Sequence, residues 1–379
     1  MPRRRSACPG QISLEELTLS VKPLWLRALP VAIAGTLLLA ACSSGSSAPA
    51  SQSASSDSSL NAELLGAGAT FPDPVYQEWI GAFIGDNAGV SITYEPIGSG
   101  GGIEQFTAQS TDFGGSDAFM KDEELAAAED AWGCDVVHIP TVFGAVAVAY
   151  NLSGVDGLTL DSDTLARIFL GEITQWNDSA IADLNSGVSL PDEPIIVAHR
   201  SDGSGTTSIF TTYLDDENSD WSSQVGKGKE VTWPVGVGGQ GNDGVAAAIA
   251  QNDGGIGYVE LSYALENELS TASMINADGN AVEPSLDSTA AAADGIDIPD
   301  DLRFNILGVG GDGYPIAGAT WILAPTCGLD ANKGEALKAF LTWALENGDS
   351  IAQELNYAPI GDSLQEKSLA NVARINEGG

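Results

Sequence analysis

From Leu60 onward the chain alternates short β-rich apolar runs with segments of helical periodicity, the pattern of a parallel or mixed α/β sheet. Strand candidates are VSITYEPI at 90–97, VVHIPTVFGAVAVAYN at 136–151, EPIIVAHR at 193–200, GGIGYVEL at 254–261 and GATWILAP at 318–325. The runs at 136–151 and 318–325 are long or late enough to cross between two lobes. Helical patterns are TLARIFLG, whose start Asp161 or Asp163 can cap, SIFTTYL after Ser204, GVAAAIAQ, and ALKAFLTWALENG, which Gly348 can close.

The first sixty residues do not share this pattern. Lys22 and Arg27 precede the apolar run LPVAIAGTLLLAAC, which is too short for a comfortable membrane span and reads as an export signal over residues 1–41. Leu39-Ala40-Ala41-Cys42 followed by Ser43-Ser44-Gly45 resembles a bacterial lipoprotein cleavage box, which makes Cys42 the lipidated first residue; a plain signal with a chance cysteine is the alternative. Residues 42–59 are small and polar without apolar periodicity, the composition of a disordered tether. The expected location is the outer face of the cytoplasmic membrane, held by a lipid anchor.

At 379 residues the chain is long enough for two domains, each with its own apolar core. Its 15 basic and 52 acidic side chains give a net charge of -37, which repels nucleic acid and anionic lipid head groups. The same field disfavours small anions at long range, so an anion site must be built from local dipoles and one or two well-placed cations. Beyond residue 41 the arginines are Arg167, Arg200, Arg303 and Arg374. Of four cysteines, Cys8 falls in the export segment and Cys42 in the anchor; Cys134 and Cys327 suggest one disulfide in an oxidising compartment, with two buried thiols as the alternative.

Four turn-like segments combine glycine with Ser, Thr or Asp beside a strand-like or helix-like run: GAGATFP (66–72), GSGGG (98–102), FGGSDAF (113–119) and RSDGSGTTS (200–208). Glycine lets backbone approach a ligand closely, and a helix N-terminus presents unpaired N–H groups with partial positive charge, so such segments bind anions without net charge. In the last segment Arg200 ends a strand and Ser204, Gly205 and Thr206 open a helix. A guanidinium, two hydroxyls and helix-terminal amides can converge there on one tetrahedral oxyanion, with Asp202 holding the arginine. Asp117 is the odd member, because a carboxylate repels an anion unless the ligand brings a proton. Hydrogen phosphate brings one and sulfate does not, so an unprotonated Asp117 selects the first and penalises the second. Taken alone, Asp117 can also be a capping residue and Arg200 one end of an ordinary ion pair.

The motifs GAGATFP, GSGGG, DFGGSDA, FLGEITQWND, RSDGSGT, GGQGNDG and GYVE, in this order from about residue 62 onward, resemble the periplasmic phosphate-binding proteins of ABC phosphate transporters. The resemblance implies an α/β, two-lobed periplasmic-binding-protein fold (Venus flytrap, class II-like), with mixed central sheets and hinge crossover strands. The lobes are expected at 60–142 plus 319–379 and at 143–318. It further implies phosphate binding by Thr70, Phe71, Ser99, Asp117, Arg200, Ser204, Gly205 and Thr206, with Asp202 paired to the arginine. Inorganic phosphate and the permease subunits of an ABC importer are the implied partners; no cofactor, metal or catalytic residue is implied. His199 before Arg200, the glycine triplet after Ser99 and the two cysteines depart from the family pattern.

Other signals are weaker. Gly236-Val237-Gly238-Gly239-Gln240-Gly241 satisfies the dinucleotide pattern G-x-G-x-x-G but sits late in an exported chain and reads as a loop at a cleft edge. A hydrolase built on Ser204 lacks the nucleophile elbow, because Asp202 stands where glycine is required. His138 and His199 are the only histidines, which leaves a catalytic triad or a histidine-rich metal site poorly supported. A binding protein for another tetrahedral oxyanion, sulfate or molybdate, is the nearest alternative, and a secreted phosphoester hydrolase is a more distant one.

Overall fold

The computed structural model describes residues 60–377, so the export segment, the Cys42 anchor and the tether lie outside the described residues. Strand β1 (Ala62–Gly68) pairs in parallel with β2 (Val90–Pro96) on one side and β3 (Phe113–Ser116) on the other. Helices α1 (Asp73–Asp86) and α2 (Ser99–Thr107) make the connections, and α3 (Asp122–Trp132) follows β3. Each of the first two helices therefore starts just beyond the C-terminal end of a parallel strand, where open α/β sheets place their ligands.

Strand β4 (Val136–Asn151) is buried along all but its last residue, as an unbroken apolar run covered on both faces requires. Its first part, Val136–Ala145, pairs antiparallel with the strand Ile316–Pro325; its last part, Val146–Asn151, pairs antiparallel with the strand Gly255–Glu260. The partner change at Ala145/Val146 joins two halves of one sheet. In the first half β2, β1, β3 and Ile316–Pro325 lie in that order; in the second, Gly255–Glu260 is followed by Ile196–Arg200 and Val237–Gly239, all parallel. A register shift at Thr320/Trp321 interrupts the β4 ladder. Such a bulge re-aims side chains, and Thr320 is one that matters below.

The polar residues inside β4 are accounted for. The Thr141 and Tyr76 hydroxyls bond at 2.8 Å, and His138 Nε2 accepts the Met120 N–H at 3.1 Å. Burial holds the His138 imidazole down at about 3, so it is neutral and structural. One apolar cluster runs from Leu64 to Ile375 through both halves of the sheet.

Local departures from the sequence pattern have tertiary causes. The strand expected at 193–200 begins only at Ile196, because Glu193 and Ile195 pair with the chain at 174–176 instead. The segment expected as a cleft-edge loop is a short edge strand, Val237–Gly239, in register with Ala198–Arg200, followed directly by the helix Gly241–Ala250. The structure selects Asp161 as the cap of the helix Ser162–Phe169, its Oδ1 accepting the Thr164 N–H at 2.8 Å. Cys134, just past α3, and Cys327, just past Ile316–Pro325, are joined as a disulfide with Cα atoms 6.0 Å apart. In the chain-entropy account, closing so long a loop is worth up to about 5 kcal/mol.

Candidate functional site

Thr70 and Phe71 lie in the turn between β1 and α1, Ser99 is the first residue of α2, and Asp117 follows β3 directly. From the other half come Arg200, the last residue of its strand, Ser204, the N-cap of the helix Gly205–Glu217, and Gly205 and Thr206, its first two residues. All eight are buried. The eight positions singled out in the sequence thus sit at element ends, and both halves contribute.

On the second half, Arg200 gives its Nε to Asp202 Oδ1 at 2.8 Å and its Nη2 to Asp202 Oδ2, which leaves Nη1 to reach toward Thr206 Oγ1 at 3.5 Å. The pair is bidentate, the geometry in which arginine is most directional. Burial works to raise the Asp202 carboxyl, but the arginine's hydrogen bonds and charge, with the Gly241 N–H, hold it below the usual range. The Ser204 hydroxyl oxygen accepts the Thr207 N–H at 3.0 Å, capping the helix and leaving its own proton to give away. The first N–H groups of a helix have no intrahelical acceptor, so those of Gly205 and Thr206 are donors set by the helix itself.

On the first half, Asp117 accepts from Thr320 Oγ1 at 2.8 Å through Oδ1 and more distantly from Ser99 Oγ at 3.4 Å through Oδ2; its own N–H bonds Ser99 Oγ at 3.1 Å. Burial pushes the Asp117 carboxyl up to about 7, against the opposing pull of the Thr320 bond, the Arg200 charge and the Ser99 bond. The carboxyl therefore titrates near neutrality in the ligand-free protein.

Gly205 shows how tightly the two halves meet. A Cβ added there would fall 2.5 Å from both Asp117 Oδ2 and Ser99 Oγ, so only glycine fits. Nearby, Gly98 holds φ at +89°, a left-handed value that lets the chain turn into α2, and the Gly100 N–H donates to the Gly203 carbonyl at 2.8 Å. One further contact crosses between the halves, Lys229 Nζ with Glu124 Oε1 at 2.6 Å; Arg303 Nη1 bonds the Met120 carbonyl at 3.1 Å and Asp122 Oδ1 at 2.8 Å within the first half, where its neighbour Leu302 accepts from Trp321.

Sequence reasoning missed two members. Asn242 Nδ2 donates to Thr70 Oγ1 at 2.9 Å and to Thr206 Oγ1 at 3.3 Å, bridging the halves. Its signal was present as an asparagine just inside a helix after a Gly-Gln-Gly turn. Thr320 is the second, a lone hydroxyl in an otherwise apolar buried strand. The histidines take no part in proton transfer here: His199 Nδ1 lies 2.9 Å from the Arg200 carbonyl, and its ring stacks on Trp233 at 4.8 Å. Among the described residues no group of three or more His, Cys, Asp or Glu is placed to hold a metal ion.

A family model described as a PBP superfamily domain matches residues 46–347. The phosphate-binding protein PstS of Xylella fastidiosa is 41% identical over 315 residues, covering 82% of this chain and 85% of that protein. The phosphate-binding protein PstS 3 of Mycobacterium tuberculosis is 36% identical over 371 residues, covering 92% and 98%. Among solved structures, the phosphate-binding protein of Stenotrophomonas maltophilia superposes with a TM-score of 0.63 at 22% identity, over 82% of this chain and 93% of that one. A high-affinity periplasmic phosphate-binding protein bound with phosphate, PfluDING, gives 0.68 at 23%, over 82% and 93%. Those two likenesses speak to the fold, which is that of the periplasmic binding proteins.

Proposed function

The chain belongs to the PBP superfamily and within it to the phosphate-binding PstS proteins, and from that premise we propose that it captures inorganic phosphate outside the cytoplasmic membrane and delivers it to the permease of an ABC-type importer. Phe71, Gly205 and Thr206 supply backbone donors, Thr70, Ser99, Ser204 and Thr206 supply hydroxyls, and Arg200 supplies the single cation. The two halves of the sheet act as lobes that rotate about the crossing strands, so that bound anion favours the closed form because only there are both donor sets engaged. The lobes follow the division at 60–142 plus 319–379 against 143–318.

The observation that carries the reading is Asp117. Every other group in the proposed anion-binding set donates to or attracts an anion, and one buried carboxylate among them makes sense where the ligand itself carries a proton. Hydrogen phosphate meets that condition at neutral pH, whereas sulfate would place two unprotonated acceptors against each other in a dry site. Titration calorimetry against phosphate and sulfate, at pH 8 and again at pH 5.5, tests the reading. Heat with phosphate and little with sulfate at the higher pH supports it, and no heat with millimolar phosphate ends it.

Anchoring through lipid on Cys42 belongs to the same proposal and rests on the Leu39-Ala40-Ala41-Cys42 box. Cys42→Ala is expected to move the protein from the membrane fraction to the soluble one. Among the described residues no helix is long and apolar enough to cross a membrane.

A further inference from the structure

Three consecutive carbonyls, those of Ala69, Thr70 and Phe71, each accept the hydroxyl of a different buried tyrosine. Tyr94 donates to Ala69 at 2.8 Å, Tyr263 to Thr70 at 2.5 Å and Tyr357 to Phe71 at 2.6 Å. The three tyrosines come from β2, from the turn of helix after Gly255–Glu260 and from the chain just before residue 358, so nothing local explains their convergence. The Thr70 carbonyl and the Phe71 N–H share one peptide plane, and the structure holds no cis peptide bond among the described residues. In a trans peptide the two point in opposite directions. A hydroxyl clamped on the Thr70 oxygen therefore aims the Phe71 N–H the other way, away from Tyr263.

Counting hydrogens at Tyr357 extends the argument to Glu260. The Tyr357 hydroxyl has one proton, and at 2.6 Å that proton goes to the Phe71 carbonyl, which can only accept. Yet Tyr357 Oη also lies 2.9 Å from Glu260 Oε2 and 3.0 Å from Ser262 Oγ, and Ser262 Oγ in turn touches Glu260 Oε2. The two hydroxyl protons serve two of these four contacts; a third, on the carboxyl, serves a third, with Glu260 donating to Tyr357 and Ser262 donating to Glu260 Oε2, and leaves only the Tyr357–Ser262 approach without a proton. Glu260 is fully buried; its Oε2 also accepts the Ser262 N–H at 2.9 Å, but its other oxygen, Oε1, has no hydrogen-bond partner among the described residues, a costly position for an ionised carboxylate. Burial independently pushes the Glu260 carboxyl up to about 8, with the bonds from Ser262 and Tyr357 opposing.

We propose that Glu260 is a neutral carboxylic acid that fixes Tyr357 as a donor, and that Glu260, Tyr357, Tyr263 and Tyr94 form a cage of positioning residues holding the Thr70–Phe71 backbone so that its amide meets the anion. The cage touches the peptide and not the ligand, and its link to phosphate affinity rests on the function proposed above.

The protonation half is tested without ligand. The infrared difference spectrum of the full-length chain minus Glu260→Gln, at pH 7, is expected to contain a carboxylic-acid carbonyl band that shifts in D2O; a carboxylate band in its place overturns this half. The positioning half is tested with Tyr263→Phe and Tyr357→Phe, each expected to weaken phosphate binding about tenfold, the loss of roughly one hydrogen bond. The phosphate-to-sulfate ratio, set by Asp117, should stay unchanged, and Glu260→Gln, which can still donate to Tyr357, should bind phosphate nearly as the parent does. The amide nitrogen resonance of Phe71 should move in Tyr263→Phe even with no anion present. An unmoved resonance, or tyrosine variants that bind phosphate as tightly as the parent, refutes the cage. If the parent itself ignores phosphate, the functional reading fails, while the infrared band and the Phe71 resonance still decide this one.

Discussion

The two faces of the cleft solve opposite electrostatic problems. The second-half face carries a cation, Arg200, but Asp202 occupies two of its nitrogens and offsets part of its charge, so much of what it offers an anion is direction: one guanidinium edge and the amides of a helix start. The first-half face carries a carboxyl, Asp117, with Thr320 and Ser99 beside it and, among the described residues, no lysine or arginine bonded to it. One face is organised to attract and orient, the other to inspect. In a chain with a net charge of -37, the proposed function assigns affinity to fixed local dipoles and selectivity to a group that costs affinity.

Forcing the faces apart should have the largest effect. Gly205→Ala puts a methyl against Asp117 and Ser99, and phosphate affinity measured by calorimetry is expected to drop by about a thousandfold or more, with little change in melting temperature of the ligand-free protein. Next comes the attracting face alone. Arg200→Lys keeps the charge but loses the planar fork that Asp202 holds, and about a hundredfold loss of affinity is expected, for sulfate and phosphate alike.

Changing the inspecting face should sharpen the contrast. Asp117→Asn is expected to reduce discrimination against sulfate by about ten- to a hundredfold, the cost of one unpaired buried acceptor; an unchanged ratio of the two affinities contradicts the role. In the parent, selectivity should also weaken as pH falls through about 7, because a protonated Asp117 becomes a donor that sulfate can use. Stability follows the same group. Its folded value, pushed up to about 7, lies above that of an ordinary aspartate, so the folded state holds the proton longer, and the ligand-free protein should lose stability as pH rises across that window. Asp117→Asn should flatten part of that slope in denaturant titrations. The smallest effect belongs to the rim, where Lys229→Ala removes the contact with Glu124 and should raise the dissociation rate only a few-fold, and less at high salt.

Much of the site was legible before folding because its chemistry sits at strand ends and helix starts, where glycine, hydroxyl and charge leave a local signature. Arg200, Asp202 and Ser204–Thr206 lie within seven residues, and their mutual geometry follows from one strand–turn–helix unit. Asp117 could be read from the chemistry of its ligand. For Asn242 and Thr320 a residue-type signal was visible but the role was not, because it depends on partners 172 and 203 residues away in the chain, Thr70 and Asp117. Nor was the edge strand Val237–Gly239, whose glycines look like a loop until the strand Ile196–Arg200 supplies its hydrogen bonds.

By itself, then, the amino-acid order determined the alternation of strands and helices, the buried run of β4 and the grouping of glycine, hydroxyl and charge at the ends of elements, since each depends on periodicity or on residues adjacent along the backbone. Tertiary structure alone decided which carboxyl is dry, which hydroxyl points where and how three tyrosines from separate segments reach one turn. Protonation and hydrogen-bond direction are set by surrounding density and by contacts between residues as far apart as Phe71 and Tyr357, separated by 286 positions. Nothing along the chain carries that information until the sheet has brought them together.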